Sequence, residues 1–145
     1  MPVDDDAGLR RLLGSARTIA VLGIKAGEQE DAYRVPLYLT RHGYRILPIS
    51  PKLESVLGER CVPRLADLDA PADLIDVFRA PAHLPAHTDE ILALGWKPRV
   101  VWLQEGIRDD ASAARLEAAG IAVVQDRCIM VEHRRLIGDA ARGSA

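Results

Sequence analysis

Thr18-Ile19-Ala20-Val21-Leu22-Gly23 is an apolar run rich in branched residues that ends in a glycine and leads into a polar loop. Such a run suits a β-strand buried on both faces of a parallel sheet. A glycine at its carboxyl end lets backbone N–H groups approach an anion near the start of the next helix. The pattern therefore predicts a site for a nucleotide or a phosphate-bearing cofactor.

Strand-like and helix-like segments alternate along the rest of the chain. The predicted strands are Thr18 to Leu22, Tyr44 to Ile49, Leu74 to Phe78, Val100 to Leu103 and Ile121 to Gln125, and the predicted helices between them are Tyr33 to His42, His83 to Leu94 and Asp109 to Ala119. We predict a single-domain, Rossmann-like α/β fold, with a doubly wound and mainly parallel sheet of about five strands and helices on both faces. The usual doubly wound order would place the first strand beside the fourth and a ligand near Gly23 and Gln104.

The domain is expected to span residues 1–138, with its core at about 18–136, and residues 139–145 to form a disordered tail. Pro36 lacks an N–H group, so we expect it in the first turn of its helix. The connection from Pro51 to Pro71 is too long for a structureless loop in a compact domain, so it should contain local structure.

Composition limits the possible partners. The chain has 145 residues, is 48% hydrophobic and carries a formal net charge of −2, which gives no general attraction for nucleic acid or an anionic membrane. No apolar stretch approaches the ~20 residues of a membrane span. The acidic N-terminus lacks the features of a secretory signal, so a cytoplasmic protein is expected. Two cysteines do not make a disulfide framework.

Two strand ends carry cations. The first loop lacks the G-x-G-x-x-G pattern, and Lys52 follows the second strand where NAD enzymes place a carboxylate. A lysine there suits a phosphorylated ribose, although it could equally be a solvated loop residue. Phe78 and Arg79 could stack on a purine and contact a phosphate, or else Phe78 is core and Arg79 pairs with a carboxylate. Gln104 could bind an amide of the ligand or satisfy its own loop.

Catalytic and metal-binding patterns are weak. Cys128 follows the fifth strand beside Arg127, with His133 as the histidine nearest in sequence, and this could make a reactive thiol or simply a buried cysteine. His83 and His87 have metal-ligand spacing, but two ligands do not define a site. We predict no catalytic residues and no metal site.

Several segments, in this order and spacing, resemble the small stand-alone coenzyme A-binding proteins, whose Rossmann-like domain is similar to the N-terminal domain of the succinyl-CoA synthetase alpha subunit. The matching segments are Ala20 to Gly23, Tyr33 to Val35 with Tyr38-Leu39, His42 to Arg45, Ile49 to Pro51, Leu57 to Glu59, Asp76 to Arg79, Val101 to Gln104 with Gly106, Asp126 to Ile129, and Glu132-His133. They cover about residues 18 to 136.

The resemblance implies a ligand, coenzyme A (CoA) or an acyl-CoA, across the carboxyl ends of the first three strands. Carried over by position, it implies that the phosphate contacts come from Gly23, Ile24 and Lys25, the ribose or 3′-phosphate contact from Lys52 beside Pro51, the nucleotide contacts from Phe78 and Arg79, and further contacts from Arg34 and Gln104. The chain departs from the family pattern in Ile24, where a serine is common, and in the acidic residues 28–31, which should oppose phosphate binding.

Three functions are compatible with these features. The first is a CoA or acyl-CoA binding module without its own chemistry. The second is a thiol-dependent enzyme or redox sensor in which Cys128 acts with CoA. The third is a degenerate dinucleotide-binding domain or a scaffold for a protein partner.

Overall fold

The computed structural model describes residues 3–138, which form a three-layer α/β domain. In chain order the elements are α1 (Asp6–Ser15), β1 (Thr18–Leu22), α2 (Asp31–Arg41), β2 (Arg45–Ile49), β3 (Ser55–Val56), β4 (Glu59–Arg60), β5 (Leu74–Val77), α3 (Leu84–Leu92), β6 (Val100–Leu103), α4 (Asp110–Ala118), β7 (Ala122–Val124) and α5 (Ile129–Leu136). Short 3-10 turns at Leu65–Asp67 and Pro81–His83 lie before β5 and α3. The predicted fold class is confirmed, and each predicted strand lies within one residue of an observed one. The prediction for residues 139–145 falls outside the described residues.

The order of the strands differs from the prediction. The five parallel strands are arranged β2-β1-β5-β6-β7, so β1 lies between β2 and β5 and is not beside the fourth main strand, β6. This is the other common doubly wound order, in which the chain passes from β2 to β5 across β1. The switch point therefore lies between β1 and β5, and the predicted order, with the first strand beside the fourth, is wrong.

Helices cover both faces of the sheet, as predicted. One apolar cluster packs α1, α2 and α5 against one face, and a second packs α3 and α4 against the other. Alternate residues of β5 point to opposite faces, so Leu74 joins the first cluster and Ile75 the second. Both layers position the loops at the strand ends.

Pro36 lies deeper in α2 than predicted, at the sixth residue of the helix. A proline inside a helix leaves the carbonyl four residues earlier without its usual donor. Here that carbonyl, of Ala32, accepts a hydrogen bond from the backbone N–H of Lys25 at 3.2 Å. The helix tolerates Pro36 because the loop after β1 supplies the missing donor, and the same bond ties that loop to α2.

The long connection after β2 contains the local structure that its length predicts. β3 and β4 form an antiparallel hairpin whose turn residues, Leu57 and Gly58, both have positive φ. Val62 then donates to Pro48 O at 3.1 Å and accepts from Ser50 N at 2.9 Å. The connection thereby covers part of the outer edge of β2.

An ion-pair network joins the two ends of the domain on the α1–α5 side. Glu132 pairs with Arg127 and, at 2.8 Å, with Arg135, while Arg135 also pairs with Asp6 of α1 at 2.9 Å. The hydrogen bond from Arg135 lowers the pKa of Asp6. Burial alone would raise the pKa of Glu132, but the hydrogen bonds from both arginines outweigh it and lower that pKa. The ion pairs of Asp6 and Glu132 therefore stabilise the fold fully above the ordinary carboxyl pKa. This stabilisation is lost as the pH falls through the lowered pKa values of the two carboxyl groups.

Asp76 is a buried carboxyl in the central strand. It is 0% exposed, its register partners on either side are Val21 and Trp102, and neither carboxyl oxygen has a hydrogen-bond partner within residues 3–138. Burial raises its pKa well above the ordinary value, because a charge is costly away from water. Burial therefore favours the neutral form of this carboxyl in the folded domain.

The end of β1 is pressed against the end of β5. Gly23 has a φ of 88°, and a Cβ built there would lie 2.5 Å from the carbonyl oxygen of Phe78 and 3.0 Å from Cδ of Arg79. The Phe78 N–H donates to Leu22 O at 2.9 Å, which continues the β1–β5 ladder to this point. Only glycine fits at this contact.

Replacing Gly23 by alanine should lower the free energy of unfolding by about 2 to 4 kcal/mol, because the new methyl group adds a backbone clash to the strain of a positive φ. Gly58→Ala is the matched control, since Gly58 also has a positive φ but no atom within 4 Å of the added Cβ. Urea unfolding should show a loss of about 1 kcal/mol for that control. Equal losses in both variants would contradict the close contact at Gly23.

Asp76 should make stability fall as the pH rises. An unfolded aspartate loses its proton near pH 4, whereas the raised pKa lets the folded domain keep the Asp76 proton to a higher pH, so between these two pKa values the folded state binds more protons than the unfolded state. The free energy of unfolding should fall by up to about 1.4 kcal/mol per pH unit until the raised pKa is reached. Asp76→Asn should remove this component in urea unfolding measured from pH 5 to 9. An unchanged slope in the variant would show that Asp76 is already charged in the fold.

Candidate functional site

Three neighbouring strands end at one level of the sheet. The register aligns Leu22 of β1 with Ile49 of β2 and with Val77 of β5. The next residue of each strand, such as Gly23 or Phe78, therefore comes to the same edge. Adjacent strands are about 4.8 Å apart, so the loops after β2 and β5 start about 10 Å from each other, with the Gly23 loop between them.

A serine turn shapes the loop after β2. The Ser50 hydroxyl is buried and accepts hydrogen bonds from the N–H groups of Lys52 at 3.1 Å and Leu53 at 3.2 Å. Pro51 and Lys52 are exposed at the corner of this turn, and Lys52 has no ion-pair partner in the described part of the chain. Sequence reasoning did not single out Ser50, although a serine before a proline at a strand end is a turn signal.

Two backbone donors at the start of the loop after β1 are engaged. Gly23 N–H donates to Ile49 O at 3.2 Å, and Lys25 N–H donates to Ala32 O. The Ile24 N–H has no protein acceptor within residues 3–138. The Ile24 side chain is buried in the cluster beneath α2, so only its backbone can meet a ligand. Of the predicted phosphate contacts in this loop, the Ile24 N–H is unengaged within residues 3–138, and the Lys25 side chain is exposed but lies beside Glu30.

The acidic start of α2 engages two predicted cations. Lys25 Nζ lies 3.6 Å from a carboxylate oxygen of Glu30, and Arg34 lies 3.2 Å from Asp31. All four side chains are about half exposed or more. Solvent and salt weaken such pairs, so a phosphate can compete for these cations.

The end of β5 carries Phe78 and Arg79. Phe78 is partly buried against the cluster beneath α2, which leaves part of it at the edge. Arg79 is exposed, and its Nε donates to Nε2 of His87 at 3.3 Å. Within residues 3–138 it has no carboxylate partner, although pairing with a carboxylate was one of the predicted alternatives. The sequence does not predict the contact between His87 and Arg79, because that contact depends on how α3 folds back after β5.

Gln104 lies away from this group. It follows β6, which is separated from β1 by β5, and its side chain is buried. Its Oε1 accepts from the N–H of Ile129 at 3.1 Å, so it fastens the start of α5. The side-chain oxygen therefore bonds to the start of α5 and not to its own loop, and a contact between Gln104 and a ligand stays a prediction.

Cys128 lines a separate hollow of about 530 Å³ beyond β6 and β7, together with residues that include Arg108, Arg127 and Val131. Cys128 is half-buried at the N-cap of α5. No hydrogen bond joins it to His133 in the described structure, and Nδ1 of His133 lies 2.8 Å from the Tyr38 hydroxyl. A thiol reaction at Cys128 remains a prediction from the sequence.

Within residues 3–138, no group of three or more histidine, cysteine, aspartate or glutamate side chains could hold a metal ion. The helices in the same range are too short or too polar for any of them to cross a membrane.

Similar proteins share both the sequence pattern and the fold. The uncharacterized protein YneT of Bacillus subtilis is 30% identical over 127 residues, which cover 88% of this chain and 93% of YneT. The structure of cell-free ID.343 from Thermus thermophilus has a TM-score of 0.87 and 47% identity, covering 92% of this chain and 99% of that one. A more distant likeness shows the fold alone: the dinucleotide-forming acetyl-coenzyme A synthetase 1 of Candidatus Korarchaeum cryptofilum has a TM-score of 0.68 and 18% identity, over 79% of this chain and 26% of that one.

Residues 17–134 match the sequence family described as the CoA binding domain. The matched range begins just before β1 and ends within α5, so it contains every strand of the sheet and all three strand ends described above. The resemblance found in the sequence is confirmed, and this chain belongs to the CoA binding domain family.

Proposed function

We propose that this protein binds CoA or an acyl-CoA, as a binding module, at the edge formed by the ends of β2, β1 and β5. The proposal rests on the alignment, at one level of the sheet, of the three strand ends that lead into Lys52, the Gly23 loop and Arg79, at the switch point of a CoA-binding-domain fold. Ligands of open parallel sheets bind at such carboxyl-end switch points.

The exposed cations match the charge of the proposed ligand. Lys52 and Arg79 are exposed and have no carboxylate partner among the described residues. They flank the Gly23 loop, whose Ile24 N–H has no protein acceptor within residues 3–138. A pyrophosphate between them and a ribose phosphate at Lys52 would place negative charge where a mildly acidic protein offers positive charge.

The acidic start of α2 sets a limit on affinity. Glu30 and Asp31 hold Lys25 and Arg34 in exposed ion pairs and add their own negative charge near the loop. A phosphate must displace or share these carboxylates, so Lys52 and Arg79 are expected to supply more of the binding energy than Lys25 and Arg34. Phe78, partly exposed beside Arg79, offers a face for the adenine.

CoA should stabilise the protein more than 3′-dephospho-CoA does, because Lys52 is expected to contact the additional phosphate. A ligand present at 100 times its dissociation constant raises the free energy of unfolding by about 2.7 kcal/mol. Lys52→Ala should weaken CoA binding about tenfold, or about 1.4 kcal/mol, and bring the two ligands to similar affinities. Isothermal titration calorimetry gives both affinities directly.

Lys97→Ala is the matched control, since Lys97 is an exposed lysine that donates to Ala119 O at the end of α4. It should leave the preference for CoA unchanged. If the unaltered protein bound both ligands equally, Lys52 would lose its proposed role, and if it bound neither, the proposed function would be overturned.

A further inference from the structure

The side chain of Arg79 is held at two points although it is exposed. Its Cδ lies over Gly23, 3.0 Å from where a Cβ would stand, and its Nε donates to Nε2 of His87 at 3.3 Å. His87 belongs to α3, the helix that follows β5. The guanidinium is therefore fixed between the loop after β1 and the first turns of α3.

The other ring nitrogen of His87 contacts the carboxylate of Glu90. Nδ1 of His87 lies 3.3 Å from Oε1 of Glu90, and both side chains are largely buried, at 20% and 24% exposure. A guanidinium only donates hydrogen bonds and a carboxylate only accepts them. Both contacts are satisfied together only when the His87 ring is neutral with its proton on Nδ1. The three residues then form a directed chain, Arg79 to His87 to Glu90.

This arrangement leaves the outer nitrogens of Arg79 available. Only Nε is engaged, and Nη1 and Nη2 have no partner within residues 3–138. A guanidinium presents paired N–H groups that match two phosphate oxygens. Holding the side chain by Nε fixes the direction of that pair before a ligand arrives, which reduces the entropy lost on binding.

We infer that His87, supported by Glu90, is a positioning residue that holds Arg79 ready to bind a phosphate of the ligand. This inference rests on the proposed function and adds a regulation to it. A proton on Nε2 of His87 would turn the acceptor into a donor facing the Arg79 N–H, with two positive charges in contact. The hydrogen bond from Arg79 to His87 is then lost. The affinity for the ligand should therefore fall in acid by more than protonation of the ligand's own phosphates explains.

The charges around His87 come from several elements. Arg79 faces it from the end of β5 and Glu90 from its own helix, while the His83 ring lies 6.4 Å from the His87 ring, centroid to centroid. Arg64, beside the 3-10 turn before β5, acts electrostatically on Glu90. On the α4 side, Arg115 is paired with Asp89 at 2.5 Å. Glu90 attracts a positive charge at His87 and Arg79 repels it, so the range from about pH 5 to 8, where histidine side chains in general change charge, is the range to examine.

The hydrogen bond from Arg79 to His87 can be measured without any ligand. In nuclear magnetic resonance spectra of the full chain, the Arg79 Nε–H signal, assigned from its loss in Arg79→Lys, should shift as the His87 ring titrates. It should be insensitive to that pH range in His87→Phe, which keeps the ring volume without a nitrogen. An Arg79 signal that ignores the titration of His87 in the unaltered protein would overturn the contact on which the inference stands.

CoA affinity measured by calorimetry at pH 8 and pH 5.5 tests the role in binding. At pH 8, His87→Phe should weaken CoA binding about fivefold, and on an Arg79→Ala background it should have no further effect. The unaltered protein should lose more affinity between the two pH values than His87→Phe does, since the titration of the ligand's phosphates is common to both. His83→Phe, the matched control, should behave as the unaltered protein.

The two hypotheses fail differently in this experiment. If the unaltered protein binds CoA but His87→Phe binds it equally well and with the same pH dependence, the inference is wrong and the proposed function stands. If Arg79→Ala and His87→Phe weaken CoA binding additively, His87 acts on its own and not through Arg79, which also overturns the inference. A failure of the unaltered protein to bind CoA removes both.

Discussion

The close approach of Gly23 to the Phe78 carbonyl is the constraint on which the rest of this domain depends. It brings the ends of β1 and β5 together at the switch point and lets the stem of Arg79 cross the glycine. A side chain at Gly23 would push the two loops apart and move Arg79 away from His87. The glycine therefore determines both the packing of the sheet edge and the position of a cation at that edge.

The electrostatics of this edge are local. The chain as a whole carries a formal net charge of −2, and the start of α2 adds carboxylates beside the glycine loop. The proposed binding of a phosphate-bearing ligand therefore depends on a few cations held in defined positions. The serine turn at Ser50 presents Lys52, and the chain from Glu90 through His87 presents Arg79. In both cases the neighbouring polar group is partly or wholly buried while the cation remains exposed.

Local patterns were sufficient to predict the elements of the fold. The apolar run ending at Gly23 and the glycine after α2 are readable from short segments, and the strands lie where they were predicted. The order of the strands was not predicted correctly, because it depends on the direction in which the connection after β2 crosses the sheet. Pro36 was misplaced for a similar reason, since the donor that replaces its N–H comes from another loop. For the candidate site, position along the strands placed Lys52 and Arg79 at the ends of neighbouring strands, whereas the contacts of Gln104 with α5 and of His87 with Arg79 join different elements and could not be predicted from short segments.

The proposed CoA site at the ends of β2, β1 and β5 is best tested by mapping backbone amide shifts during a titration with CoA, because this locates the ligand without any substitution. We expect the largest changes in chemical shift in three segments, residues 23–25, 52–53 and 78–79, which come to one edge only in the folded sheet. Changes confined to the hollow around Cys128, or no changes at saturating CoA, would contradict it.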